Sequence, residues 1–180
     1  MSGWTVRREA PEDFAAIRSV LVEAFGDDEV ADGVERIRRS WIYRPDTALV
    51  AVADGAVVGH VMVDGCTVTG DAGERTVAML TPLAVRPGHQ RRGIGADLVR
   101  AALAGARAAG EPFVVLEGSP AYYGALGFVP ARDHGIEMAL PDWAPPEAAQ
   151  VYLFPAYDPA DPALRGVIGY PPVYDPPGGA

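Results

Sequence analysis

The chain has 180 residues, 49% of them hydrophobic, and a formal net charge of −9. That length suits one domain with a sizeable core and is short for two. The negative balance argues against general nucleic-acid binding, where phosphate neutralisation supplies most of the affinity, and no apolar run reaches the ~20 residues of a membrane-spanning helix. The single cysteine, Cys66, allows neither an internal disulfide nor a cysteine metal cluster. The first residues, MSGWTVRREAPEDF, carry acids and no long apolar stretch, so no secretory leader is expected and a cytoplasmic location is the default. All fifteen basic residues are arginine.

Trp4–Arg8 alternates like a strand, and Ala10–Asp13 is a helix start, with proline and acids suited to a first turn. Phe14, Ile17, Leu21 and Phe25 then recur at helical spacing and predict a buried stripe. Val30, Val34, Ile37 and Trp41 predict a second amphipathic helix, with Arg36, Arg38 and Arg39 on its solvated side. Two β-rich runs flank Asp54–Gly55, a strong hairpin signal, and Cys66–Val68 extends the second. After a turn at Gly70–Glu74, Thr76–Val85 is a long apolar strand interrupted by Pro82. Proline cannot donate to a ladder, so it belongs at a bulge or where a neighbouring strand has departed.

Ile94, Leu98, Ala101, Ala102 and Gly105 trace one face of a helix that Gly110 stops. Pro112–Gly118 is a short buried strand, and Ser119–Phe128 a short helix with serine as cap, proline in its first turn and Gly127 at its close. Phe128–Val129, Gly135–Leu140, Gln150–Pro155 and Gly166–Tyr170 are weaker strand candidates. Ten of the seventeen prolines fall after Leu140, and that segment is apolar enough to pack on the domain rather than act as a linker. The division expected is a core over 1–140 and a proline-rich C-terminal extension over 141–180. The order of elements predicts a mixed α/β fold with helices on both faces of a central sheet.

The loop VRPGHQRRGIGADL, from Val85 to Leu98, sits between a strand and a helix and has a phosphate-binding look. A P-loop needs lysine and then serine or threonine after its last glycine, and Ala96–Asp97 stand there. A dinucleotide fingerprint needs a third glycine where Leu98 stands. Gln90–Arg91–Arg92–Gly93–Ile94–Gly95 does match Q/R-x-x-G-x-G/A. A helix N-terminus leaves backbone N–H groups unpaired and carries partial positive charge, and glycine lets a pyrophosphate come close. Taken alone, the loop also reads as a plain glycine-rich strand-to-helix turn.

LTPLAVRPGHQRRGIGADLVRAAL resembles motif A of the GNAT superfamily of acetyl-CoA-dependent N-acyltransferases, and AYYGALGFVPA resembles its motif B. Order and spacing are similar to those of the small single-domain bacterial subgroup of predicted acetyltransferases, over about Trp4 to Val129. The resemblance implies a GNAT fold, with the sheet splayed into a V-shaped cleft beside Pro82. It implies that the backbone of Leu83, Ala84 and Val85 pairs with the pantetheine arm of acetyl-CoA, and that the N–H groups of Arg91, Arg92, Gly93, Ile94, Gly95 and Ala96 hold the pyrophosphate. The side chains of Ala84 and Ile94 are then expected to pack. Tyr123, five residues before Phe128, matches the family's general acid, which protonates the leaving thiolate. Tyr122 and Ser119 are expected to pack and to cap, and the Val85 N–H is the expected oxyanion donor.

Many relatives carry a carboxylate on the bulged strand where this chain has Thr81. Glu117, at the end of the next strand, is the substitute candidate for the general base. His60, His89 and His134 form no evident cluster, His89 is expected to be exposed, and Cys66 reads as a small core residue. The implied activity is acetyl transfer from acetyl-CoA to an amine by direct attack, with no metal and no nucleic-acid or membrane partner, in a monomer or homodimer. The alternatives are a non-catalytic acyl-CoA sensor of the same fold and an acyltransferase for a longer acyl chain. The acceptor is expected between the first two helices and the C-terminal segment, with a slight tilt towards cationic amines.

Overall fold

The computed structural model describes residues 3–175. The chain divides into two compact units, one formed by the segment up to Asp64, Thr81–Gly105 and the residues from Pro172 on, the other by Gly65–Leu80 and Ala106–Pro171. The final residues of the proline-rich tail, from Pro176, lie outside the described residues. No helix among those described is long and apolar enough to cross a membrane.

In the first unit, β1 (Thr5–Arg8) pairs antiparallel with β2 (Ala48–Ala53), which pairs antiparallel with β3 (Ala56–Gly70). Asp54 and Gly55 join β2 to β3 with φ of 49° and 77°, the double left-handed geometry of the tight hairpin turn. β4 (Gly73–Val85) ends in this unit, where Arg86 donates its backbone N–H to the Val58 carbonyl at 2.8 Å. Helices α1 (Phe14–Phe25) and α2 (Glu29–Arg38) bury Ile17, Val20, Leu21, Val34 and Ile37 against Ala48, Val50 and Met62. Helix α3 (Ile94–Ala108) packs on the other face of β3, since Gly59 meets its side chains and neighbouring strand residues point to opposite faces. A Cβ on Gly59 would stand 2.9 Å from the Leu98 side chain and 3.2 Å from both the Ala84 carbonyl and Ile94.

Two residues of the predicted stripes are not in this core. Phe25 is 45% exposed: it is the last residue of α1, directly before Gly26, which turns left-handed at φ 86°. Trp41 is 71% exposed, because α2 stops at Arg38 and the chain leaves helical periodicity before Trp41; Ile42 is buried instead.

In the second unit, β5 (Phe113–Glu117) lies parallel to the middle of β4 through two registered pairs, Ala78–Val114 and Met79–Val115. Phe113 to Leu116 are all buried, as expected of a strand covered on both faces. β8 (Ala149–Leu153) runs antiparallel to β5 from Phe113–Leu153 to Glu117–Ala149, and β6 (Val129–Pro130) pairs with β8. Helix α4 (Pro120–Gly124) leads from β5 towards β6, with the Ser119 hydroxyl accepting from the Tyr122 N–H at 3.3 Å. β9 (Gly166–Gly169) pairs with the end of β3 and, in parallel, with β7 (Ile136–Glu137). Gly166 has φ 137° and its α-carbon lies so near the Thr69 carbonyl that no Cβ fits.

Candidate active site

In the first unit, the loop from Val85 into α3 turns through two left-handed residues, Arg91 at φ 60° and Gly93 at φ 98°. The Gln90 side chain closes the turn by donating to the Val85 carbonyl at 3.0 Å. The first intrahelical bond of α3 runs from the Asp97 N–H to the Gly93 carbonyl. Among the described residues, no acceptor is found for the N–H groups of Arg91 to Ala96, so a row of amides stands unpaired at the positive end of a helix. Ile94 and Ala84 are buried, so those two side chains pack. Trp4 braces the loop: its indole N–H donates to Asp97 Oδ2 at 3.1 Å, and its ring lies beside Gly93.

In the second unit, Glu117 and Tyr123 come together around Gly118. The Tyr123 ring lies on Gly118, where a Cβ would meet ring carbons at 2.4 and 2.8 Å. Its other contacts are edge-on to Tyr122, with centroids 4.9 Å apart, and to Phe128 at 5.6 Å. The Tyr123 hydroxyl has no hydrogen-bond partner among the described residues, and burial, then the neighbouring Tyr122 phenol, pushes its pKa up to about 12. Glu117 has neither an ion pair nor a hydrogen bond to its carboxylate among the described residues, and desolvation raises its pKa above the ordinary carboxylate value. Tyr122 is 42% exposed and packs edge-on against Tyr123. Tyr170, which no sequence motif marks, has its phenol raised to about 12 by burial and then by nearby Glu117 and Cys66. Cys66 is fully buried, as a core residue should be.

Sequence periodicity also missed a buried polar cluster in the first unit. Glu9 accepts from Arg38 through both oxygens, at 2.9 and 2.8 Å, from the Tyr43 hydroxyl at 2.9 Å and from His60 Nε2 at 2.9 Å. Arg38 was expected on the solvated face of its helix, yet its side chain is 8% exposed. A buried carboxylate from another element holds it there, and helical spacing carries no sign of that partner. Burial alone would raise the Glu9 carboxyl, but the bonds from Arg38 and His60 outweigh it and bring its pKa down to about 2. His60 is pushed down by desolvation, so the neutral ring donates from Nε2 and leaves Nδ1 buried without a partner. Asp64, on the same face of β3, is buried with both oxygens unpartnered, and its pKa lies well above the ordinary value for that reason.

A pocket of about 520 Å³ opens beside this cluster, lined by Phe14, Ala15, Arg18, Glu35, Arg38, Arg39 and Tyr43. Arg18 is held by Asp28, Asp32 and Glu35, and Arg38 by Glu9. Three guanidiniums against one carboxylate do not make a cation site, so this pocket gives no support to a cationic acceptor.

The model for the acetyltransferase (GNAT) domain family matches residues 5–131. The chain is 34% identical over 130 residues to the uncharacterized N-acetyltransferase YjhQ of Escherichia coli K12, covering 72% of each chain. Its structure is similar to that of the GNAT family N-acetyltransferase YhbS of Escherichia coli in complex with CoA, with TM-score 0.81, 28% identity, and 97% and 93% of the two chains covered. It is similar also to a GNAT family acetyltransferase of Brucella melitensis in complex with acetyl-CoA, with TM-score 0.74, 28% identity, and 96% and 98% covered. With the fold, both motifs and these relatives in agreement, the chain belongs to the GNAT family of acetyltransferases.

Proposed function

We propose that this acetyltransferase binds acetyl-CoA and transfers its acetyl group to an amine by direct attack. The observation that carries the reading is the row of unpaired N–H groups from Arg91 to Ala96, opened by Gly93 at φ 98°. Amides at a helix N-terminus suit a pyrophosphate, and Arg91 and Arg92, both exposed, add positive charge beside them. Leu83, Ala84 and Val85 would hold the pantetheine arm by their backbone. When bound, acetyl-CoA supplies the acetyl thioester.

Tyr123 is the proton donor to the leaving sulfur in this reading, and Glu117 the proton acceptor for the attacking amine. Among the described residues neither side chain has a hydrogen-bond partner, and both have pKa values displaced towards retaining their proton. For the phenol this keeps the acid loaded. For the carboxyl it strengthens a base that an ordinary glutamate supplies weakly.

The test is calorimetric titration with acetyl-CoA, followed by thiol-release assays with acetyl-, propionyl- and succinyl-CoA against a panel of amines that includes carboxylate-bearing ones. Saturable binding with turnover on at least one amine is expected, and fastest with acetyl-CoA. Binding with no turnover on any amine makes the protein a sensor, and faster turnover with a longer chain reassigns the acyl donor.

A further inference from the structure

We propose that Gln150 and Tyr152, on strand β8, are positioning residues that hold Tyr123 in place for proton transfer. The inference rests on the reading of Tyr123 as the acid, and adds that the catalytic tyrosine is set by the chain beyond Leu140. Gly118 is the platform for the Tyr123 ring, which lies against its α-carbon with no room for a side chain. That platform is fixed at both its polar atoms. Its N–H donates to the Ala148 carbonyl at 3.0 Å, and its carbonyl accepts from Gln150 Nε2 at 3.2 Å.

Gln150 is 2% exposed, one of few buried polar side chains in the unit, and a buried amide is retained at a desolvation cost unless it bonds. Its bond reaches across from β8 to the residue that follows the last residue of β5. Two residues along the same strand, Tyr152 supports the tyrosine through Phe128. Its ring stacks edge-on against Phe128 at 5.5 Å, and Phe128 stacks on Tyr123 at 5.6 Å. Tyr152 also fills the space above Gly127, where a Cβ would come within 3.0 Å, so the turn that brings Phe128 back is itself shaped by β8. Alternate residues of a strand share a face, so one face of β8 supplies both supports. The short α4 has few means of holding its tyrosine alone: the Tyr123 N–H bonds the Ser119 carbonyl and the half-exposed Tyr122 ring meets its edge, while Gly118 and Phe128 hold the ring from outside the helix.

The test compares Gln150→Met, which keeps length and volume but removes the amide donor, with Tyr152→Leu and Tyr123→Phe, singly and in pairs. Thiol release from acetyl-CoA is read with hydroxylamine as a small acceptor. Gln150→Met and Tyr152→Leu are each expected to lower kcat about 10-fold with KM for acetyl-CoA unchanged, since small displacements of a catalytic group are costly. In the Tyr123→Phe background the same substitutions are expected to add almost nothing, because the group they position is gone. Losses that multiply in the double variants overturn the positioning role, while a Tyr123→Phe variant as fast as the parent overturns the acid reading beneath it. A readout free of turnover is the fluorine NMR spectrum of protein carrying 3-fluorotyrosine, with the Tyr123 line assigned by its loss in Tyr123→Phe. That line is expected to shift in Gln150→Met and Tyr152→Leu, and an unmoved line in both rejects the proposal. If Gln150→Met does not fold, Gly118→Ala displaces the ring directly and is held to the same two criteria.

Discussion

Trp4 and Asp97 are joined by a 3.1 Å bond from the indole N–H to Oδ2, which ties the residue just before β1 to the first turn of α3. The same indole lies beside Gly93, so one side chain braces both the loop and the helix that follows it. Trp4→Phe keeps an aromatic ring there and removes the bond. Stability is expected to fall by about 1 kcal/mol, the net worth of one such hydrogen bond. Acetyl-CoA affinity is expected to fall about 3-fold with it, as the loop loses preorganisation. Thermal melts and calorimetric titration check the two effects separately. Lost stability with unchanged affinity would remove Trp4 from the binding argument.

Gly93→Val addresses the loop directly. At φ 98° a β-branched residue is strained wherever it points, and a Cβ at Gly93 would stand 3.8 Å from the Trp4 ring, an ordinary contact, so the strain comes from the backbone. The strain is expected to pull the amide row out of line and weaken acetyl-CoA binding at least about 10-fold, with the circular dichroism spectrum unchanged. Full binding in this variant would refute the pyrophosphate assignment.

The two candidate proton-transfer residues make opposite demands on pH. Glu117 must be ionised to take a proton, and desolvation lifts its pKa above 4.5, so kcat/KM is expected to rise through an acid limb above that value. Tyr123 must be protonated to give one, and a pKa of about 12 keeps it so beyond pH 10. No fall in rate from tyrosine ionisation is therefore expected in an ordinary assay range. Glu117→Gln is expected to abolish the acid limb. A limb that persists in Glu117→Gln belongs to another group, the acceptor amine included.

The buried cluster around Glu9 gives a stability prediction. Glu9→Gln removes the only carboxylate that bonds the Arg38 guanidinium among the described residues, and leaving a buried charge unpaired costs about 3 kcal/mol. The pH dependence has a definite sign. Glu9 has a folded pKa of about 2 against 4.5, so its contribution is complete above 4.5 and is lost as the pH falls towards 2. His60 acts earlier in the same direction. Its folded pKa lies below 6.5, so the unfolded chain takes up the proton first and stability declines as the pH drops below 6.5. Urea denaturation from pH 8 to pH 3 is expected to show the lower of these declines abolished in Glu9→Gln.

Asp64 works the other way. Its folded pKa is raised, so the folded chain holds the proton longer than the unfolded one, and stability falls as the pH rises above 3.8. Arg44, Glu9, Arg38 and Tyr43 are the charged and titratable groups that act on it, and the favourable Arg44 and Arg38 do not offset the desolvation. Asp64→Asn keeps the shape and cannot ionise. It is expected to raise the melting temperature at pH 8 and to leave it unchanged at pH 4. An equal shift at both values would show that packing, rather than charge, sets the effect.

These two clusters mark what the sequence could and could not reveal. The hairpin at Asp54–Gly55, the stop at Gly110 and the Ser119 cap were legible because each depends on backbone chemistry within a few residues. The loop from Gln90 to Ala96 was legible for the same reason: its amides and its positive φ are local properties. Glu9 with Arg38, His60 and Tyr43 was not, since the four come from four places in the chain and each one alone reads as a surface or isolated residue. Gln150 is a similar case. Nothing near it in sequence marks an amide whose partner is the carbonyl of Gly118, 32 positions away. Phe25 and Trp41 failed in the other sense, because the spacing carried the buried stripe onto the last residue of α1 and past the end of α2.

Gly59 carries a consequence for how this protein responds to change. It lies in the middle of a strand, has no polar group to offer and is nowhere near a ligand by sequence, yet α3 rests on it at van der Waals distance. Each methyl group added there acts as a shim under the helix whose first turn begins beside the unpaired amides. Core volume at position 59 is thus expected to adjust the proposed pyrophosphate loop mechanically. A screen that reads ligand affinity should recover substitutions at this position, while one that reads only fold would score them as ordinary packing defects.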